Sequence, residues 1–120
     1  MPESTRIELI RLHSDTLGGV AEDQELKRVL WYVLGGARGG ENRARIIHEL
    51  SLRPLNLNQL AGKLEVDYRT VMHHTNVLKM NSLVVVEGEK YGAMYFVSPR
   101  LQAGMDLFTE IAGKLRFKFD

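Results

Sequence analysis

The sequence predicts a mainly α-helical fold with one small β-hairpin. Apolar residues recur at helical spacing in five separate segments, a pattern typical of helices that bury one face. A β-branched run, a turn with two glycines and a second strand-like run lie between the fourth and fifth segments. The length of 120 residues fits one domain with a modest core.

The first helical segment runs from Glu22 to about Leu34 and ends at a glycine-rich connection, residues 35–40. Trp31 and Tyr32 widen its apolar stripe, so we expect burial on two sides. The preceding residues, 1–22, fit either a strand or a helix, and the sequence assigns them no role.

Three shorter helices follow. The first begins at Glu41 or Asn42 and ends before Pro54, because a residue that precedes proline disfavours helical geometry. A short bridging strand and a second helix, with Asn58 as its cap, come next. The third helix runs from Tyr68 to about Met80 after a turn, so the last two form a helix-turn-helix.

Two strands and a final helix complete the chain. Leu83–Val86 and Ala93–Val97 form a hairpin, and Ser98-Pro99 is a cap that opens the last helix. This order is that of a winged helix-turn-helix with extra N- and C-terminal helices. The predicted divisions are an N-terminal segment of unknown role (1–22), a helix and glycine-rich connection (23–40), a winged-helix DNA-binding domain (41–98) and a C-terminal dimerisation helix (99–120).

The third helix of this domain suits the DNA major groove, which admits an α-helix and presents a distinct hydrogen-bonding pattern for each base pair. Val71, Thr75 and Leu78 share one face by their spacing and should point inward. The opposite face supplies the predicted base contacts, which are Arg69, Met72, His73 and Asn76. The predicted DNA backbone contacts are Arg38, Arg43, Arg45, Tyr68, Thr70, Lys79, Lys90 and Tyr91.

The charge distribution permits DNA binding without demanding it. The whole chain has a net charge of +1, but residues 35–100 contain nine Lys/Arg and six Asp/Glu. This excess is mild, so a second interpretation stays open, in which the winged helix is a protein–protein interaction module of the transcription machinery. A small-molecule effector is compatible with the first interpretation, but the sequence identifies none.

The stretch Arg53–Pro99, with "LNLNQLAGKLEVDYRTVMHHTNVLKMNSLV" near its start, resembles the winged-helix domain of ArsR-like transcriptional regulators, particularly the small archaeal ones. The resemblance implies a dimer whose terminal helices pair and place two reader helices on a two-fold DNA site. Thr75 departs from the family pattern, which has leucine there, and the cysteine pairs of metal-sensing members are missing.

The two outer helices also favour a homodimer on physical grounds. They present more apolar surface than a small winged helix can cover, and pairing across a two-fold axis would bury the excess. The predicted dimer interface comprises Leu26, Leu30, Trp31, Leu101, Met105, Phe108, Ile111 and Leu115.

Several other classes of protein are disfavoured. The absence of cysteine excludes disulfides, thiol nucleophiles and cysteine-based zinc sites. The adjacent His73 and His74 point about 100° apart on a helix, so no metal site is expected. The glycine-rich connection lacks the Lys-Ser/Thr ending of a phosphate-binding loop, and no catalytic motif occurs, so we expect no cofactor and no enzymatic activity. The chain has neither a secretory signal nor a membrane-spanning run, which suggests the cytoplasm.

Overall fold

The computed structural model describes residues 23–36 and 38–119, so the predictions for residues 1–22 lie outside the described part of the chain. The first helix, α1, is α-helical over residues 23–30 and continues as a π-helical turn, Trp31–Gly35. The elements after it are α2 (Gly40–Leu52), α3 (Leu57–Leu64), α4 (Tyr68–Met80), β1 (Val84–Glu87), β2 (Met94–Val97), α5 (Pro99–Ala103) and α6 (Met105–Lys114).

This order confirms the predicted fold class, a mainly α winged helix-turn-helix with added terminal helices. The two strands pair antiparallel, with Val84 opposite Val97 and Glu87 opposite Met94. The predicted bridging strand is a single β-bridge, in which the Tyr95 N–H donates to the Leu55 carbonyl at 2.8 Å. The bridge attaches the α2–α3 connection to the base of the hairpin.

A capping box starts α3. The Asn56 side chain accepts from the Gln59 N–H at 2.8 Å, and the Gln59 side chain accepts from the Asn56 N–H at 2.9 Å. Two backbone donors that the first turn leaves free are thereby satisfied. The helix therefore begins before Asn58, the residue that the sequence suggested as its cap.

One continuous core joins the helices to the hairpin. Aliphatic side chains from the inner helix faces and from the connection between α4 and β1 are fully enclosed, and each contributes about 1.5–3 kcal/mol by leaving water. They include Leu30, Ile46, Ile47, Leu60, Val71, Leu78, Leu83, Leu101 and Ile111. Within residues 23–36 and 38–119, no helix has the length and apolar character of a membrane span.

The final helix is interrupted, which the sequence did not indicate. The Ser98 hydroxyl accepts from the Leu101 N–H at 3.2 Å, so the predicted cap is confirmed. At Gly104, however, α5 ends and α6 begins. A Cβ atom at Gly104 would lie 2.2 Å from Cδ2 of Leu26, so the break occurs where α1 packs closely against this backbone.

The close packing of α1 on α5 and α6 corrects much of the predicted dimer interface. Five of its residues are buried within this chain and belong to its own core: Leu26, Leu30, Leu101, Phe108 and Ile111. Trp31, Met105 and Leu115 are half-buried against the same core. The apolar stripes therefore mainly close the core of the monomer.

Candidate nucleic-acid interface

Helix α4 is held from behind by α2, α3 and β1. Its inner row, Val71, Thr75 and Leu78, is fully buried, as the spacing predicted. Thr75 brings a hydroxyl into the core, and that hydroxyl donates to the Met72 carbonyl at 3.0 Å. The helix therefore satisfies the polar group itself, which explains how a core position tolerates threonine.

The opposite face of α4 is free in this chain. Arg69, His73 and Asn76 are exposed, and Met72 is 40% exposed. Their predicted outward orientation is therefore confirmed, although their contacts with bases remain a proposal. Lys79 and Met80 are also exposed further along α4, and Met80, at 85%, was not among the predicted site residues.

The first turn of α4 carries a polar link that the sequence analysis missed. The Thr70 hydroxyl donates to the Asp67 carboxylate and holds the pKa of that carboxyl below its usual value. Because this hydroxyl proton is already used, the predicted phosphate contact by Thr70 needs correction. Tyr68, half-buried beside it, is the remaining candidate at this helix start.

Arg43 was predicted to contact a phosphate, and its burial contradicts that prediction. The side chain is only 7% exposed. Its Nε atom donates to Nδ1 of His74 at 3.2 Å, and its Nη1 atom donates to the Val33 carbonyl at 3.1 Å. Arg43 falls on the inner face of α2 one residue before the buried Ala44, a placement that its charge hides in the sequence.

The end of the glycine-rich connection is tightly packed. Gly39 has φ +90°, a conformation that side chains other than glycine rarely adopt. A Cβ atom there would lie 2.5 Å from Cε1 of His74. Arg38, beside it, is exposed and remains available as a phosphate contact.

The hairpin forms the expected wing, with mixed charge at its tip. Gly88 and Lys90 both have positive φ and turn the chain, and Tyr91 is 76% exposed. Lys90 is exposed as predicted, but the neighbouring Glu87 and Glu89 are exposed too. The wing therefore offers one cation and an aromatic ring directly after two carboxylates.

Arg45 lies on the side of α2 that faces the end of α3. Its Nη1 atom donates to the Leu64 carbonyl at 3.3 Å, and the side chain is half-buried. A guanidinium has five N–H donors, so the remaining donors of Arg45 stay available for a phosphate.

His48, His73 and His74 do not converge on a common site. The His73 and His74 rings have centroids 5.2 Å apart and are tilted by 58°. The His48 ring stacks on Phe119 with a centroid distance of 4.6 Å. Among the described residues, no three His, Cys, Asp or Glu side chains gather as metal ligands.

No family model matches this sequence, and no curated protein matches it. Solved structures do match its fold. HlyU from Vibrio vulnificus, a transcriptional regulator, has 20% identity over 87% of this chain and 97% of its own, with a TM-score of 0.56. MarR from Staphylococcus aureus has 13% identity over 96% of this chain and 73% of its own, with a TM-score of 0.55.

A third similar structure is a homodimeric winged helix-turn-helix DNA-binding domain from Mycobacterium bovis, a possible ArsR-family regulator. It has 15% identity over 85% of this chain and 87% of its own, with a TM-score of 0.56. At these identities the likeness establishes the shared winged helix-turn-helix fold, whereas the function must be argued from the residues of this chain.

Proposed function

We propose that this protein is a sequence-specific, double-stranded DNA-binding transcriptional regulator of the ArsR-like type that acts as a dimer and is not an enzyme. One observation carries the proposal: α4 presents Arg69, Met72, His73 and Asn76 to solvent while a fully buried row supports it from behind. A helix that enters the major groove needs this arrangement. The kinship with small archaeal regulators and the cytoplasmic location stay predictions.

Each exposed residue of α4 suits a different base edge. Arg69 can donate two hydrogen bonds to a guanine, and Asn76 can pair with an adenine. Met72 offers an apolar contact for a thymine methyl group, and His73 can donate to a base or a phosphate. The row therefore has the chemistry for direct sequence readout.

We propose that residues on α4 and on the elements around it contact DNA phosphates. We retain Arg38, Arg45, Tyr68, Lys79, Lys90 and Tyr91 in this role, and the buried Arg43 and the engaged Thr70 are removed from it. The wing would lie on the flanking backbone or in the minor groove, where Lys90 can reach a phosphate.

The comparisons support this interpretation. The structure from Mycobacterium bovis is a homodimeric DNA-binding domain, and HlyU from Vibrio vulnificus is a transcriptional regulator. We extend the function of those proteins, transcription regulation through DNA binding, to this chain. The residues of the proposed site are argued from α4 of this chain.

A protein partner is the second candidate, favoured by the apolar and acidic character of part of the surface. Met80 and Tyr91 are strongly exposed, and Glu87 and Glu89 precede the lysine of the wing, Lys90. Carboxylates there repel phosphates, whereas exposed methionine and tyrosine side chains are common at protein interfaces.

Selection of bound duplexes from a random pool tests the proposal and separates the two candidates. We expect an enriched sequence with two-fold symmetry, bound with an affinity that falls steeply as salt increases. Failure to enrich any sequence, together with salt-independent or absent duplex binding at low ionic strength, would favour the protein partner.

A further inference from the structure

The buried Arg43 side chain connects three elements around the reader helix. It projects from α2, donates to His74 on α4 at 3.2 Å, and donates to the Val33 carbonyl in the π-helical turn of α1 at 3.1 Å. Arg43 and His74 are both 7% exposed. One guanidinium group therefore links α4 to both α1 and α2 by hydrogen bonds, in addition to the apolar packing behind α4.

The hydrogen bond fixes the protonation state of His74. Arginine carries donors and no acceptor, so Nδ1 of His74 must accept and the ring proton must lie on Nε2. A histidine protonated on both nitrogens has no acceptor left. It would also place a second positive charge against the Arg43 guanidinium, so protonation breaks this contact.

The environment of His74 lowers its affinity for a second proton. Burial lowers the pKa of His74 below the ordinary histidine value, and the charges of Arg43 on α2 and His73 on α4 lower it further. The connection packs the uncharged Gly39 against the ring. No carboxylate among the described residues forms a salt bridge with Arg43 or His74, so nothing there offsets this effect.

We propose that the Arg43–His74 hydrogen bond is a positioning contact that holds α4 ready for DNA, and that protonation of His74 releases α4 and weakens DNA binding in acid. This inference rests on the proposed DNA-binding function. His74 acts through α4 and touches no base itself, because it lies on the buried side of the helix.

The direction of the pH effect follows from proton linkage. The folded protein prefers neutral His74, so the unfolded chain binds more protons at mildly acidic pH. The stabilisation that His74 provides is complete above the ordinary histidine pKa and is lost as the pH falls toward the lowered pKa of the folded state. Between these limits, acid should loosen the packing behind α4.

Two matched variants test the proposal. His73→Asn removes the neighbouring exposed histidine, so that the two variants differ only at His74. His73→Asn/His74→Asn also replaces His74 by a residue that offers an oxygen near the Nδ1 position and does not titrate. The affinity of each variant for a duplex selected at neutral pH is measured by fluorescence anisotropy from about pH 7.5 to about pH 5 at constant salt.

We expect the affinity of His73→Asn to fall about tenfold toward acid, relative to the double variant, since a hydrogen bond to a charged group is lost. Parallel pH profiles for the two variants would overturn the proposal. In the unmodified protein, nitrogen NMR spectra should show His74 neutral at neutral pH, with its proton on Nε2. A proton on Nδ1 would contradict the observed hydrogen bond.

A measurement without DNA separates this inference from the proposed function. Amide exchange protection of α4 should decrease on acidification in His73→Asn and stay constant in the double variant. If no duplex binds at neutral pH and low salt, the proposed function fails, and the exchange data alone decide whether the contact positions α4. Equal exchange behaviour in the two variants would remove the positioning role.

Discussion

The chemistry of single residues decides what α4 can recognise. Arg69 lies in the first turn of the helix and is exposed, so its guanidinium is free to form two parallel hydrogen bonds to a guanine edge. Asn76, two turns further along, can form the matching pair of bonds with adenine. A side chain that reads one base pair should affect one position of the target site.

We therefore expect Arg69→Ala to weaken binding to the selected duplex by about 1–3 kcal/mol and to relax preference at one base pair. Arg28→Ala is the control, because Arg28 is an equally charged, exposed residue on α1. The affinities of both variants are measured by anisotropy against the selected site and its single-base variants. Unchanged affinity and base preference in Arg69→Ala would remove Arg69 from the proposed base contacts.

A second prediction at this scale concerns Gly39. Its positive φ and its contact with the His74 ring leave no room for a side chain, so Gly39→Ala should destabilise the fold by about 1–3 kcal/mol. Gly62→Ala is the matched control, because a Cβ atom at Gly62 meets nothing within 4 Å. Gly62→Ala in α3 should stabilise the fold by about 0.5–1 kcal/mol. Urea unfolding measures the free energy of unfolding of both variants. Equal effects of the two substitutions would show that the connection is loose.

At the scale of elements, the proposed function gives the wing and α4 separate tasks. The wing is short, with its strands limited to Val84–Glu87 and Met94–Val97, and its tip carries Lys90. A lysine is a point charge that contacts phosphates without regard to sequence. The wing should therefore add affinity and little specificity.

Lys90→Ala should weaken binding to all duplexes to a similar degree and reduce the salt dependence by about one phosphate contact. Lys114→Ala on α6 removes the same charge from an exposed residue far along the chain and should leave the salt dependence unchanged. Titrations at several salt concentrations with selected and random duplexes make the comparison. A loss confined to the selected duplex would assign the wing a reading role instead.

Most elements could be predicted from the sequence because their signals are local. Helical spacing, the Ser98-Pro99 cap and the β-branched runs place the helices and the hairpin without knowledge of their neighbours. The break at Gly104 depends on a distant residue, because Leu26 packs against that backbone. Apolar periodicity likewise shows that a face is buried but does not identify what covers it, so residues such as Phe108 were placed between chains.

Part of the candidate site could likewise be predicted from local sequence patterns, and part could not. The outward face of α4 follows from helical geometry, and the exposure of Arg69 and Asn76 was therefore predictable. The burial of Arg43 depends on the close approach of α4 and the π-helical turn, which no local pattern announces. The only sign of this burial in the sequence is that Arg43 lies among core positions of α2.

At the scale of the whole molecule, the proposed two-fold assembly would need an interface built from residues that this chain leaves accessible. Trp31, Met105 and Leu115 are half-buried, and Tyr32 is 68% exposed. Tyrosine and tryptophan are favoured at interfaces because they bury a large area with few rotatable bonds.

Tyr32→Glu should accordingly weaken dimerisation, since an unpaired carboxylate would be buried on association. Leu52→Glu is the control, because Leu52 on α2 has a nearly equal exposure of 67%. Sedimentation equilibrium over a concentration series measures both association constants. A monomeric parent protein, or an equal loss in the control, would contradict the assignment of α1 to the interface.

The binding of duplex DNA along the outer face of α4 is tested most directly by an NMR titration with a selected duplex. The account predicts that the largest amide shift changes fall in α4 and at the tip of the wing, residues 68–80 and 87–93, while α6 changes little. Binding accompanied by changes concentrated on α5 and α6, with α4 unaffected, would contradict it.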